Sequence, residues 1–213
     1  MKFPVLRRVL SVLLGPFIGR VEGIENIPKS GGAILAANHA SYLDHFIIGV
    51  CIFARINRMI YFLAKKEHFE TPLQRFWHRY LQAIPIDREA GGKDALAEAV
   101  HHLRRGDLIM IYPEGTRTRD GALQRAKTGV ARLAFAAHVP VVPIGITNTF
   151  FILPKGKRIP RWGKKADVYI GKPITFNGSK NVDDVDAVRK ATTLVMSTIA
   201  HLIGRKYPFD QEP

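Results

Sequence analysis

Cysteine is nearly absent. A single Cys51 in 213 residues excludes an internal disulfide and leaves no cysteine cluster for structural zinc. Cys51 sits in the apolar run Phe46–Phe53 and reads as a core residue rather than a nucleophile. Acidic side chains are scarce too: 18 Asp and Glu stand against 32 Lys and Arg, a net charge of +14. A chain this basic meets an anionic partner, and charge alone leaves nucleic acid, a membrane surface or a phosphorylated substrate open. No recognition-helix or RNA-binding sheet motif accompanies the charge, so nucleic acid is not the expected partner. Internal repeats, linkers and low-complexity segments are also missing. With 46% hydrophobic and 23% charged residues, the chain reads as one globular domain with a well-filled core.

The N-terminus lacks a clean targeting signal. Residues 1–20 are basic and apolar, and Val5, Leu6, Val9, Leu10, Leu13, Leu14 and Phe17 can share one helical face opposite Arg7 and Arg8. No small-x-small cleavage site follows, as a signal peptide would require. A membrane-spanning helix needs about 20 apolar residues, and this run is broken by Arg7, Arg8 and Pro16. An interfacial helix over 1–20, preceding a domain over 21–213, is the expectation; a helix packed on the domain's own core is the alternative.

What is present is an alternation of apolar runs and helical patterns. Strands are expected at Ala33–Ala37, Met59–Ala64, Ala83–Asp87, Leu108–Tyr112, Val139–Ile146, Asp167–Ile170 and Ile174–Phe176. Helices are expected at Leu43–Phe53, Thr71–Gln82, Asp94–Arg105, Thr128–His138 and Asp184–Lys206, with Val21–Gly32 as a turn-rich approach. The alternation implies an α/β fold: a mostly parallel sheet flanked by helices.

Two stretches leave strands at the edge where such sheets place ligand chemistry. Asn38-His39-Ala40-Ser41-Tyr42-Leu43-Asp44 follows the first buried strand. It puts His39 in a strand-to-helix turn and Asp44 in the first helical turn, within reach of each other. A His–carboxylate pair is a common device for taking a proton from a hydroxyl, although the spacing alone arises easily by chance. Ser41 suits a local turn role. Glu114-Gly115-Thr116-Arg117 follows Leu108–Tyr112; the glycine permits a tight turn, and the arginine offers a planar fork of donors for phosphate or carboxylate. No third and fourth ligand accompany His39 and Asp44, so no metal is expected. The Lys155–Lys165 stretch sets Trp162 among cations, which favours contact with headgroups or phosphate.

Four ordered blocks, Asn38–Asp44, Ile84-Pro85-Ile86-Asp87-Arg88, Glu114–Arg117 and Val139-Pro140-Val141-Val142-Pro143-Ile144, make the chain resemble the glycerolipid acyltransferases of the bacterial 1-acyl-sn-glycerol-3-phosphate acyltransferase type. The flanks Val21–Pro28, Lys65-Lys66-Glu67 and Asp120-Gly121 add to the likeness, which covers about residues 20 to 175. The resemblance implies transfer of a fatty acyl group from acyl-CoA or acyl carrier protein, as co-substrate and with no cofactor, to the sn-2 hydroxyl of a lysophospholipid, giving phosphatidic acid. Another lysolipid or a glycolipid acceptor is the alternative. Carried over by position, His39 would be the general base and Asp44 its orienter. Glu114, Gly115, Thr116 and Arg117 would place the acceptor, Arg117 on its phosphate, joined by Arg88 and Lys65. The Val139–Ile144 block would shape the acyl-chain side. The family also implies a peripheral or monotopic protein on the cytoplasmic face of the cell membrane, meeting an anionic surface. Two departures stand out: His45 occupies a position where members often carry Pro or a small residue, and the N-terminal segment is short beside members with a membrane-spanning or two-helix anchor.

Overall fold

The computed structural model describes residues 4–56, 58, 60–65, 69–72, 75–76, 82–86, 93–176 and 181–210. Seven strands form one sheet: β1 (Ile18–Glu22), β2 (Ala33–Ala37), β3 (Ile60–Lys65), β4 (Ala83–Ile86), β5 (Leu108–Ile111), β6 (Val141–Ile146) and β7 (Ala166–Ile170), in the spatial order β1-β7-β6-β2-β5-β3-β4. Among the described strands the β6–β7 pairing is antiparallel and the other five pairings are parallel. The α-helices bounded within the described residues are α1 (Pro4–Leu14), α2 (Leu43–Arg55), α3 (Lys93–Arg104), α4 (Gly129–Ala137), the single turn α5 (Thr149–Ile152) and α6 (Val185–Leu202).

β2 lies at the centre because its sequence, Ala-Ile-Leu-Ala-Ala, has no polar side chain for either face. Successive side chains of a strand point to opposite faces, and all five here are fully buried. Ile34 and Ala36 join one core with α3, α4 and α6. Ala33, Leu35 and Ala37 join a second core with α2. Burial on both faces is what a continuous apolar run in a parallel sheet signifies. Each of the larger side chains contributes about 1.5–3 kcal/mol on leaving water.

Several boundaries differ from expectation. The N-terminal helix stops at Leu14, not at residue 20: Gly15 and Pro16 break it, and Ile18–Glu22 becomes edge strand β1 against β7. Strand β1 has no buried residue, and Gly19-Arg20 interrupt its apolar positions, which hides it from a search for apolar runs. Ile174 makes only an isolated bridge to Val141, so no strand forms at Ile174–Phe176; Pro173 has no N–H to extend a ladder. β6 begins at Val141, after the chain has turned through a left-handed His138. The final helix ends at Leu202 rather than Lys206, and starts on an Asp184 side chain that accepts the Ala187 N–H at 2.9 Å. Most of the helix expected over Thr71–Gln82 lies outside the described residues.

Candidate active site

The parallel pairing of β2 with β5 sets the site. Ala36 aligns with Ile111, so the turns after these strands leave the sheet side by side. The backbone of His39 is then held at both ends by the second turn. Its N–H donates to Glu114 Oε1 at 2.8 Å, and its carbonyl accepts the Thr118 N–H at 2.9 Å. Asn38 fixes the other flank, donating to the Ile146 carbonyl at 2.9 Å and accepting the Ile146 N–H at 2.8 Å.

His39 Nδ1 lies 2.8 Å from Asp44 Oδ2. The same oxygen accepts the N–H groups of Ala40 and Ser41, each at 2.8 Å. Asp44 is fully buried; a buried carboxylate needs such donors to remain charged. With Nδ1 turned to the carboxylate, the proton sits on that nitrogen, which leaves Nε2 as the basic position. Tyr112 stacks on the imidazole, with centroids 3.9 Å apart and planes at 15°. Ser41 is committed to the turn: its hydroxyl donates to the Leu153 carbonyl at 2.7 Å and accepts the Leu43 N–H at 3.0 Å. Cys51 is buried in the core, and desolvation pushes its thiol up to about 11, which removes it as a nucleophile.

Glu114 serves the site through the backbone. Oε1 takes the His39 N–H and Oε2 the Gln124 N–H, each at 2.8 Å, and only 4% of the residue is exposed. Burial pushes its carboxyl up to about 7, against the downward pull of those two bonds. A folded-state value above the usual carboxylate range means that the folded protein holds this proton more tightly than the unfolded chain does. The stabilisation is therefore full below about pH 4.5 and is lost as pH rises through about 7. In Glu114→Gln that dependence should vanish. The difference in urea midpoint between wild type and variant, measured from pH 4.5 to 8, should widen at the acidic end; a constant difference would contradict the assignment.

Gly115 has φ of +70°, a left-handed conformation that favours glycine, and lets the turn double back. Thr116 Oγ1 accepts from Lys155 Nζ at 3.2 Å. The Arg117 guanidinium lies over the Tyr42 ring, 3.3 Å from its centroid. Its buried Nη1 has no hydrogen-bond partner among the described residues. A buried donor without an acceptor is costly, so this nitrogen is disposed to receive an anion. Beside His39 opens a cleft of about 410 Å³ whose lining includes the polar Thr118 and Thr149 and the apolar Ile146, Phe150 and Phe151. Of the Val139–Ile144 block, Val141, Val142 and Ile144 are fully buried within the sheet; the cleft is reached instead by Ile146, just beyond it. Among the described residues no cluster of metal-ligating side chains occurs.

Arg88 and the side chain of Lys65 lie outside the described residues; the Lys65 backbone ends β3 at the same sheet edge, paired in register with Ile86. His45 packs on Phe46 and Phe62, with centroids at 4.0 and 5.9 Å, one residue beyond the Asp44 that binds His39. Tyr112, Asn38, Tyr42 and Lys155 were not identified as site residues from sequence. Asn38 and Tyr42 lie within the first motif, Tyr112 just before the second, and Lys155 opens the basic Lys155–Lys165 stretch; what each touches depends on strand register.

A family model described as Acyltransferase matches residues 19–147. A 1-acyl-sn-glycerol-3-phosphate acyltransferase of Bacillus subtilis (strain 168) is 30% identical over 156 residues, covering 73% of this chain and 73% of that protein. The chloroplastic enzyme LPAT1 of Arabidopsis thaliana, described by the same activity, is 30% identical over 80% of this chain, which spans 47% of that longer protein. The crystal structure of the 1-acyl-sn-glycerophosphate acyltransferase PlsC from Thermotoga maritima superposes with a TM-score of 0.69 at 28% identity, covering 97% of this chain and 86% of that one. The matched residues contain the His39–Asp44 pair, Glu114–Arg117 and the β2–β5 pairing that joins them, and by this match the chain belongs to the acyltransferase family.

Proposed function

We propose that this chain is a membrane-associated O-acyltransferase. It moves a fatty acyl group from acyl-CoA or acyl carrier protein to the sn-2 hydroxyl of 1-acylglycerol-3-phosphate, forming phosphatidic acid. The observation that carries this reading is the 2.8 Å His39–Asp44 pair beside a cleft, with the unpartnered Nη1 of Arg117 on the adjoining turn.

His39 Nε2 takes the proton of the acceptor hydroxyl as its oxygen attacks the thioester carbonyl. The C–O bond forms, the C–S bond breaks, and the proton passes from His39 to the departing thiolate. Asp44 holds the ring and steadies the imidazolium; general-base assistance of this kind contributes about 10²–10⁴-fold. Thiolate leaves readily, so direct attack needs no protein nucleophile. Arg117, flat on Tyr42, presents guanidinium donors to the acceptor phosphate, and holding the hydroxyl beside the base is itself a large part of the acceleration. Lys65 and Arg88 are assigned to the same phosphate through the family likeness.

A panel of lysolipids assayed with both thioester donors, with products identified by mass, tests this reading. Lysophosphatidate should be the preferred acceptor. Arg117→Ala should raise its KM about tenfold or more while changing kcat less. Preference for an unphosphorylated acceptor, or an unchanged KM, would count against the phosphate site.

A further inference from the structure

The chain between α5 and β7 uses more basic and apolar surface than the chemistry requires. Lys155–Lys165 contains six Lys and Arg and no acidic residue. Two large apolar side chains stand out from it: Ile159 is 80% exposed and Trp162 74%. Leaving such groups in water is unfavourable, and a tight cationic cluster is self-repelling; one partner, an anionic surface with an apolar interior, relieves both.

The excursion is closed at its base. The Arg161 N–H donates to the Ile152 carbonyl at 2.8 Å, and Asn148 Nδ2 to the Lys165 carbonyl at 3.0 Å. It is also tied to both motifs of the site. Ser41 Oγ donates to the Leu153 carbonyl, and Lys155 Nζ reaches Thr116 Oγ1 at 3.2 Å and the Arg117 carbonyl at 3.5 Å. On its other side the Trp162 ring lies 4.8 Å from Phe17, just past α1, where Val12 and Leu13 are 75% and 61% exposed.

Resting on the reading above, in which the acceptor is a membrane lipid, we infer that Lys155–Lys165 docks the enzyme on an anionic phospholipid bilayer. Ile159 and Trp162 enter the interface and the lysines and arginines lie among the headgroups, as amphipathic side chains do at such boundaries. Because Lys155 reaches Thr116 and Arg117, and Leu153 just before the segment is held by Ser41, docking sets the cleft against the lipid surface. An exposed isoleucine has no use against a phosphate backbone, so a bilayer fits this surface better than nucleic acid does.

The test compares the full chain with Ile159→Ser/Trp162→Ser. It uses sedimentation with phosphatidylglycerol–phosphatidylcholine vesicles at physiological salt, and acylation of lysophosphatidate presented either in those vesicles or as a short-chain monomer. The variant should bind vesicles about tenfold more weakly or worse. It should lose activity on the embedded acceptor to match and keep wild-type activity on the monomer. Lys157→Glu/Arg158→Glu should abolish the preference for anionic over zwitterionic vesicles. Unchanged vesicle binding in both variants, equal loss on both acceptors, or stronger wild-type binding to duplex DNA than to vesicles would overturn the inference. A wild type that binds vesicles through this loop yet acylates no lysolipid would instead overturn the proposed reaction and leave the docking surface standing.

Discussion

His39→Ala should lower acyl transfer by about 10²–10⁴-fold while leaving the thermal midpoint nearly unchanged. The imidazole supports little of the fold. Its ring touches Tyr112 and Asp44 at the cleft, whereas the groups that hold the turn are the backbone N–H and carbonyl of residue 39, which alanine keeps. The loss should fall on kcat and kcat/KM together, because proton removal belongs to the transition state rather than to binding. His45→Ala is the control. That ring packs on Phe46 and Phe62, so this variant should retain wild-type turnover. Retained activity in His39→Ala, or a comparable loss in His45→Ala, would displace His39 from the role of base.

Asp44 should separate chemistry from folding. Its Oδ2 accepts three N–H groups, from the His39 ring and from the backbones of Ala40 and Ser41. In Asp44→Ala the two buried backbone donors lose their acceptor, at about 1–3 kcal/mol each. That variant should therefore lose activity and several degrees of thermal midpoint. Asp44→Asn keeps an oxygen for all three donors, removes the negative charge, and sets an amide NH2 at the buried Oδ1 position, which has no hydrogen-bond partner among the described residues. It should keep more stability than Asp44→Ala yet turn over about 10²-fold slower or worse, because the imidazolium formed in the reaction is no longer offset. Parallel loss of stability and activity in both variants would make Asp44 a structural residue only. Kinetics and calorimetry on the same preparations decide between the two.

Legibility followed burial. β2 is identical to the expected Ala33–Ala37, and β5 differs from the expected run by one residue, because strands covered on both faces carry unbroken apolar runs. Edge strand β1 has exposed residues on both faces and none buried, so the same criterion does not reach it. Spacing alone would not have found the site. His102 and Asp107 repeat the His-x4-Asp spacing and also bond, at 2.9 Å. They sit before β5 rather than after it, with the His102 ring 4.0 Å from Tyr61, at the edge opposite Glu114. What distinguishes His39 is a buried strand in front of it and a second motif leaving the neighbouring strand. From sequence Glu114 is expected to place the acceptor; in the fold both its oxygens hold backbone N–H groups. Which donors a carboxylate meets depends on how β2 and β5 align, and that is a property of the sheet rather than of either turn. The stacking of Tyr112 on His39 follows from the same alignment.

Direct, base-assisted transfer to a lysolipid hydroxyl leaves no acyl group on the protein. One quenched reaction tests it: purified protein, isotopically labelled acyl thioester and lysophosphatidate, with lipid and intact protein weighed by mass spectrometry from the same sample. Labelled phosphatidic acid should appear while the protein stays at its unmodified 23.9 kDa throughout turnover. A labelled acyl group accumulating on the protein and chasing into product, or no acylated lysolipid at all, would contradict it.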